Sequence, residues 1–584
     1  MPTQIAVERN VAVPMRDGIQ LCADVYRLDE TAPVPAILVR LPYDKDELLQ
    51  QWNAIHPIRA AEAGYAVVFQ DTRGRFRSDG EFEPYLHEAA DGYDSVEWAA
   101  RQPWCSGRVG MTGASYFGAA QWLAAMAQPP HLRAIVPSIT GSELYEGWTY
   151  QGGSFQLGFM LFWTLVLAAD TTQRLVKAGQ AGADEAARLL ATQDRIQELY
   201  RFRPLNELPA LRTGAAARGG RHYFEWLAHP ADDAFWQNVA VNRHYPQVHV
   251  PAFNVGGWYD IFLGGTLENY TRMRVEGGTP QARAGQRLLI GPWAHGNYSG
   301  EYADRSFGAA SSFDSIDIHM LKLRYFDHTL KGLDNGVEEE PPVRIFVMGE
   351  DRWRSEADWP LPDTRYVPWY IHSEGQAGAR GGTLSENPPT EEPPDVYVYD
   401  PRQPVPTLGG QTLLPGMYLS LNAGPRDQRA AEARPDVLAY TSETLAEPVE
   451  VTGPIAFNLW AASSAPDTDF VVRLCDVHPD GASLILVEGI LRTRFRDGFE
   501  HPSLVVPGQV LQYRINLLAT SNLFLAGHRI RVDITSSSWP RFDPNPNTGH
   551  AIGTDGPDDL VPALQTILHD ADHPSHVVLP LIAR

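Results

Sequence analysis

The residues best suited to covalent chemistry lie in Val109-Gly110-Met111-Thr112-Gly113-Ala114-Ser115-Tyr116-Phe117-Gly118. A short apolar stretch leads into a turn of small residues around one serine, and the apolar run Ala119–Ala127 follows. Such a strand, tight turn and helix hold a serine hydroxyl at a sheet edge, close to a helix N-terminus. The hydroxyl is a weak nucleophile until a base takes its proton, and the base needs an acid to fix its tautomer. Asp260 ends Phe253-Asn254-Val255-Gly256-Gly257-Trp258-Tyr259-Asp260, and His295 ends Leu288-Leu289-Ile290-Gly291-Pro292-Trp293-Ala294-His295. Alone, each reads as a polar loop residue. Together they follow Ser115 in the order acid then histidine, each just past a strand, which is an arrangement for acyl transfer. One departure stands out: Phe117 occupies the last glycine position of the usual G-x-S-x-G pattern, and Gly118 comes one residue later.

Positioning these groups requires strand ends, and the sequence supplies them. Val11–Val13 and Leu21–Tyr26 flank the turn Asp17–Gly18, a hairpin signal. Strand patterns at Ala36–Leu41, Tyr65–Phe69, Val109–Thr112 and Leu132–Val136 alternate with helical patterns at Pro57–Ala63, Ala89–Arg101 and Ala119–Ala127. This alternation predicts an α/β unit with a parallel sheet covered by helices on both faces. Residues 145–240 carry little strand signal; Phe155–Ala169 and Glu185–Tyr200 read as helices. Strands return at Pro251–Val255 and Arg287–Ile290, and a helix is expected over Ser315–Leu330. The segment 145–240 is therefore expected as a helical insertion over the carboxyl ends of the strands, where such sheets bind ligands. After Trp353 the strand patterns become short and are separated by Pro, Gly, Asn and Asp turns, as in an antiparallel sandwich. The expected units are 1–144 with 241–352, 145–240, and 353–584.

Composition narrows the function. The chain has 584 residues, 43% apolar and 20% charged, the balance of a folded globular protein. Its net charge of −23 repels phosphate backbones and anionic lipid, so no nucleic acid and no membrane partner is expected. Cys22, Cys105 and Cys475 are far apart and lack CxxC spacing, which suggests neither a disulfide framework nor a cysteine metal site. His569 and His573 are four apart, but Pro574 interrupts and no HExxH occurs, so they read as part of a polar C-terminal segment. No phosphate-binding or dinucleotide motif is present, and no metal or cofactor is expected. Without a basic N-terminal region followed by an apolar core, the expected location is cytoplasmic.

The sequence resembles the bacterial cocaine esterase-type hydrolases, within the group of X-prolyl dipeptidyl peptidases and α-amino-acid ester hydrolases. The likeness is carried by Arg40-Leu41-Pro42-Tyr43-Asp44-Lys45, Asp71-Thr72-Arg73-Gly74 with Ser78-Asp79-Gly80, and Gly113-Ala114-Ser115-Tyr116. It continues through Gly257-Trp258-Tyr259-Asp260, Gly291-Pro292-Trp293-Ala294-His295 and Ala519-Thr520-Ser521-Asn522. In that family the elbow carries Ser-Tyr with the glycine displaced, which accounts for Phe117. The resemblance implies an α/β-hydrolase domain, a helical cap and a C-terminal β jelly-roll sandwich. It implies Ser115, Asp260 and His295 as a catalytic triad working through an acyl-enzyme, and Tyr43 with the Tyr116 N–H as oxyanion donors. Trp148, Trp163 and Phe262 match aromatic residues of the acyl pocket, and Leu413 and Leu414 would close it from the sandwich. A flat apolar wall suits bulky, aroyl esters as the small-molecule substrate. A homodimer is also what the resemblance suggests. The related amino-acid ester hydrolases carry acidic residues soon after the catalytic aspartate; here Asp260 is followed by Ile261, Phe262, Leu263 and Gly264. That counts against a free α-amino substrate, with Glu143 or Glu146 as substitutes. An amidase or X-prolyl dipeptidyl peptidase using the same triad is the alternative.

Overall fold

The computed structural model describes residues 4–29, 32–416 and 422–583. The first part of the chain builds a ten-stranded sheet around the candidate residues. Its strands are β1 (Ile5–Pro14), β2 (Gln20–Leu28), β3 (Val34–Leu41), β4 (Ala66–Asp71), β5 (Cys105–Ala114) and β6 (Leu132–Ser138). A two-residue hairpin, β7 (Tyr150–Gln151) and β8 (Ser154–Phe155), stands apart. The large sheet resumes with β9 (Phe253–Tyr259), β10 (Arg287–Ala294), β11 (Val343–Val347) and β12 (Arg352–Glu356). The spatial order is β1-β2-β4-β3-β5-β6-β9-β10-β11-β12.

The central strands β3, β4, β5, β6, β9, β10 and β11 run parallel. The whole of β4 and the ends of β3, β5 and β6 are buried, which is why they read as continuous apolar runs. The sheet is mixed rather than wholly parallel. At one margin the tight Asp17–Gly18 turn joins β1 to β2 antiparallel, and β2 lies antiparallel to β4; at the other, β12 returns antiparallel along β11. A short turn can join only antiparallel neighbours, so these hairpins set the margins. The sheet runs to Glu356, a few residues beyond the point where the sequence changes character.

Between β6 and β9 the chain is mainly helical. Its longest helix, Leu157–Lys177, buries Leu157, Phe159, Met160, Leu161, Trp163, Leu165 and Leu167 near its start. No helix is long and apolar enough to cross a membrane among the described residues. The helix is tied to the sheet by Arg75, whose buried guanidinium donates to Pro42 O at 2.8 Å, Thr171 Oγ1 at 3.0 Å and Asp170 Oδ2 at 3.0 Å.

The remaining chain forms an eleven-stranded, largely antiparallel sheet system spanning Arg365 to Ile582. The long strand Val449–Ser463 pairs with Leu511–Phe524, Ala563–Leu568 and His576–Ile582. Phe457, Leu459 and Ala461 are buried while the residues between them are partly exposed, the period-two signature of a sheet with one face on a core. Strands Asp469–Val477 and Ser483–Arg492 are buried along their length. Arg492 bridges to the small hairpin: its guanidinium reaches Asp469, Asp543 and Ser154 Oγ, and its N–H donates to Gly152 O at 2.8 Å. The later sheet system and the hairpin between β6 and β9 therefore meet at a buried, hydrogen-bonded arginine.

Candidate active site

Strand β5 ends at Ala114 and the helix Tyr116–Met126 starts two residues later, leaving Ser115 alone at the turn. Its backbone sits at φ 58°, ψ −123°, a conformation costly for a residue with a Cβ. The turn is held on every side. Ser115 N–H donates to Ser138 O at 2.9 Å, Thr140 Oγ1 donates to Ser115 O at 2.8 Å, and the N–H groups of Gly118 and Ala119 donate to the same carbonyl. The displaced glycine has a direct cause. A Cβ at Gly118 would lie 2.7 Å from Thr140 Cβ and 3.1 Å from Ser138 O. The helix start therefore approaches the end of β6 at position 118, while the Phe117 and Tyr43 rings meet in a T-shaped contact, 6.2 Å between centroids.

Asp260 follows β9 and is fully buried. Each of its carboxylate oxygens accepts one bond: Oδ1 from Phe262 N–H at 2.7 Å, and Oδ2 from the His295 imidazole Nδ1 at 2.8 Å. His295 follows β10 and is 6% exposed. Proton placement follows from this pair: Nδ1 carries hydrogen toward Asp260, which leaves Nε2 as the basic nitrogen. Among the described residues neither the Ser115 hydroxyl nor His295 Nε2 makes a hydrogen bond.

Tyr43 stands just past β3, and its hydroxyl accepts from Trp163 Nε1 at 2.9 Å. The N–H of Tyr116 is that of the first residue of the helix, pointing out of the helix start. The Tyr116 side chain faces elsewhere: its hydroxyl donates to Glu88 Oε1 at 2.9 Å and accepts from Tyr85 N–H at 3.1 Å. Glu88 is also paired with Arg40 at 2.5 Å. Burial pushes the Glu88 carboxyl above its ordinary value, and it pushes the Tyr116 phenol far up.

Trp148 and Phe262 stack face to face, 4.0 Å between centroids and 12° between planes, and the Phe262 ring meets the His295 imidazole edge-on at 5.2 Å. Phe159 touches Trp148, Phe262 and Trp163. Trp163 continues the wall to Trp226 and Tyr116. Leu413 and Leu414 are buried, and a Cβ at Gly158 would meet Leu414 at 2.4 Å, so the sandwich segment presses on the helix Leu157–Lys177. Gln411 anchors that segment by donating to Trp258 O at 3.0 Å and Leu486 O at 3.3 Å. A cavity of about 910 Å³ lies behind the aromatic wall, lined by Phe82, Leu144, Arg174, His222, Trp226 and Trp236 among others. None of Ser115, Asp260 and His295 lines it.

Sequence reasoning passed over several supports of this site. Arg75 links the carbonyl before Tyr43 to the helix that carries Trp163. Arg40 and Glu88 fix Tyr116. Lys45 and Asp24 form a fully buried ion pair at 2.8 Å behind the Tyr43 loop. Asp71 receives the N–H groups of Lys45 and Arg77, and burial pushes its carboxyl up to about 7. The motifs containing Arg40, Lys45 and Asp71 were visible, but side-chain partners tens of residues away are not. His569 is no loose polar residue: it is fully buried between Glu392 at 3.1 Å and Asp395 at 3.0 Å.

Residues 17–297 match the family model of the X-Pro dipeptidyl-peptidase (S15 family), and residues 335–578 match that of its C-terminal non-catalytic domain. A cocaine esterase from Rhodococcus sp. is 40% identical over 588 residues, covering 99% of each chain. Among solved structures, an aminopeptidase from a marine sediment Thaumarchaeota archaeon superposes with TM-score 0.79 at 26% identity, covering 100% of this chain and 96% of that one. An α-amino acid ester hydrolase superposes with TM-score 0.78 at 25% identity, covering 99% and 97%.

Proposed function

The chain belongs to the cocaine esterase-like family of serine ester hydrolases, and from that premise we propose that it cleaves bulky, aroyl esters through an acyl-enzyme on Ser115. One observation carries the proposal: the buried Asp260 holds His295 at 2.8 Å while the ring of Phe262, stacked on Trp148, borders the same imidazole. Base and aromatic wall therefore share one edge.

In this mechanism His295 Nε2 takes the Ser115 proton as Oγ attacks the ester carbonyl. Asp260 keeps Nδ1 protonated and stabilises the imidazolium that forms. The Tyr43 hydroxyl and the Tyr116 N–H receive the oxyanion, and the helix N-terminus adds a favourable dipole. The alcohol leaves with the proton from His295. Water, deprotonated by the same nitrogen, then releases the acid. Residues 145–240 serve as a cap over the strand ends, and Trp148 and Trp163 bring aromatic surface from it to the acyl group.

The reading is tested by crossing acyl size with alcohol size in a panel of esters, alongside an X-prolyl anilide. Benzoyl esters turned over faster than acetyl esters of the same alcohol support it. Dominant turnover of the anilide would replace it with the dipeptidyl-peptidase alternative. That alternative draws on the name of the matching family model and on the carboxyls of Glu143 and Glu146 near Trp148.

A further inference from the structure

Far from Ser115 along the chain, Asp476, His478 and His528 gather at the edge where the sandwich meets the first sheet. Strand Asp469–Val477 runs antiparallel to strand Arg529–Thr535, with Asp476 opposite Ile530 and Val477 opposite Arg529. Asp476 and His478 are two apart and so share a face, while the turn before Arg529 delivers His528 beside them. One ligand-type atom from each residue lies within 4.8 Å of the other two. His528 Nδ1 is 2.8 Å from Asp476 Oδ1, His478 Nε2 is 3.9 Å from Asp476 Oδ2, and the two imidazole centroids are 4.4 Å apart.

A second observation points into the same space. A cavity of about 140 Å³ opens onto all three residues and is also lined by Tyr259, Arg305, Leu486 and Asn522. Asn522 is 3% exposed, and its side-chain nitrogen lacks a hydrogen-bond partner among the described residues. A buried donor without an acceptor is unfavourable, so the cavity calls for an occupant that accepts a hydrogen bond. Arg305 brings positive charge to the rim, but Asp351 offsets it at 2.6 Å.

We propose that Asp476, His478 and His528 bind one divalent transition-metal ion of the zinc type, with a metal-bound water accepting from Asn522. Two imidazoles and one carboxylate suit zinc and its neighbours, while three protein ligands with one oxygen are too few for calcium. Tetrahedral bonds of about 2.1 Å put ligand atoms about 3.4 Å apart, within reach of small side-chain rotations. The fourth position faces the cavity. No CxxC or HExxH spacing announces the site, because its ligands gather where two neighbouring strands end and begin: Asp476 in the first, His478 just past it and His528 just before the second. The ion would tie those strands together against Tyr259, the residue before Asp260 in the chain. Its role is therefore structural, and no step at Ser115 passes through it.

The full-length protein, stripped with a chelator, is dialysed against Zn²⁺ and separately against Co²⁺. The expected result is one zinc per chain, a melting temperature that climbs with free zinc, and the intense visible absorption of four-coordinate cobalt. His478→Ala, at a half-buried position, is expected to weaken zinc uptake on the order of 10-fold or more and to abolish the thermal shift. His249→Ala, on another face, leaves both unchanged. If His478→Ala does not fold, Asp476→Asn carries the same comparison, since it keeps the shape and removes the charge. Absence of zinc uptake by the wild-type protein, or equal uptake and equal thermal shift in the folded variant, overturns the proposal.

Discussion

The two halves of the candidate site are held by different forces. On the strand ends, Asp260 and His295 are fixed by directional bonds, and each oxygen of Asp260 has one donor. Around them Trp148, Phe159 and Phe262 are held by ring packing, with several neighbours apiece at centroid distances of 4.0 to 6.2 Å, and Trp163 adds to the same packing one hydrogen bond to the Tyr43 hydroxyl. A hydrogen bond weakens steeply with angle and distance, whereas a packed ring can shift and keep most of its contacts. The polar half should therefore fail abruptly when altered, and the aromatic half should change its preference gradually.

The sharpest break is expected at the nucleophile. Ser115→Ala should lower ester turnover on the order of 10⁶-fold and abolish labelling by a fluorophosphonate, with melting unchanged. Labelling that survives at full stoichiometry would place the nucleophile elsewhere. Asp260→Asn comes next, with a loss of roughly 10⁴-fold, because an amide can stabilise the wrong imidazole tautomer. Tyr43→Phe should cost about 10²–10³-fold in kcat with little change in KM, since the phenol acts on charge that exists only in the transition state. An equal rise in KM with kcat retained would make Tyr43 a binding residue instead. In the aromatic half, Phe262→Ala should shift the benzoyl-to-acetyl ratio by roughly 10-fold or more while reaction with a small acetate ester persists. Equal losses on both esters would show that the ring serves His295 rather than the acyl group.

The same contrast explains what could be read before the fold was seen. The strand-end residues were legible because each belongs to a local pattern: an apolar strand, then small residues or a bulge, then one polar side chain. Val109–Ser115, Phe253–Asp260 and Leu288–His295 all have this form. The alternation of elements announced a parallel sheet and the Asp17–Gly18 turn announced the hairpin at one margin, but neither the order of the strands nor the antiparallel return at the other margin was legible. β11 and β12 are short, and Arg352-Trp353-Arg354-Ser355-Glu356 has no apolar alternation to mark it as a strand. The aromatic wall was legible only by resemblance, because a tryptophan in a helix looks alike whether it faces a core or a pocket. Arg75 and Glu88 were invisible in their function, since their partners, Pro42, Asp170 and Tyr116, come from other elements. Long-range side-chain pairing has no local signature, and this is where reading a single sequence stops.

The smallest expected effect tests whether the part of the wall that bears Trp148 is free of directional control. Trp148 sits on a loop whose half-buried carboxyls, Glu143 and Glu146, are not paired with cations among the described residues. Glu146 accepts from the Gly152 N–H at 3.0 Å, and Glu143 accepts from Asn242 Nδ2 at 2.8 Å. Burial is the main cause that pushes Glu146 up to about 8 and Glu143 up to about 7, from an ordinary 4.5, with Glu268 adding like charge. The sign follows from linkage: the folded chain holds these protons more tightly than the unfolded chain does. Their contribution is complete below about pH 4.5 and is lost as pH rises through about 7 to 8. Glu146→Gln keeps the neutral shape at every pH. Its melting temperature should therefore fall less than that of the wild type between pH 5 and pH 9, a difference of a few degrees that grows with pH. Because other buried carboxyls contribute to both proteins, the readout is the difference between the two curves. Parallel curves would show that the loop tolerates an ionised Glu146, and that the wall bearing Trp148 is held by packing alone.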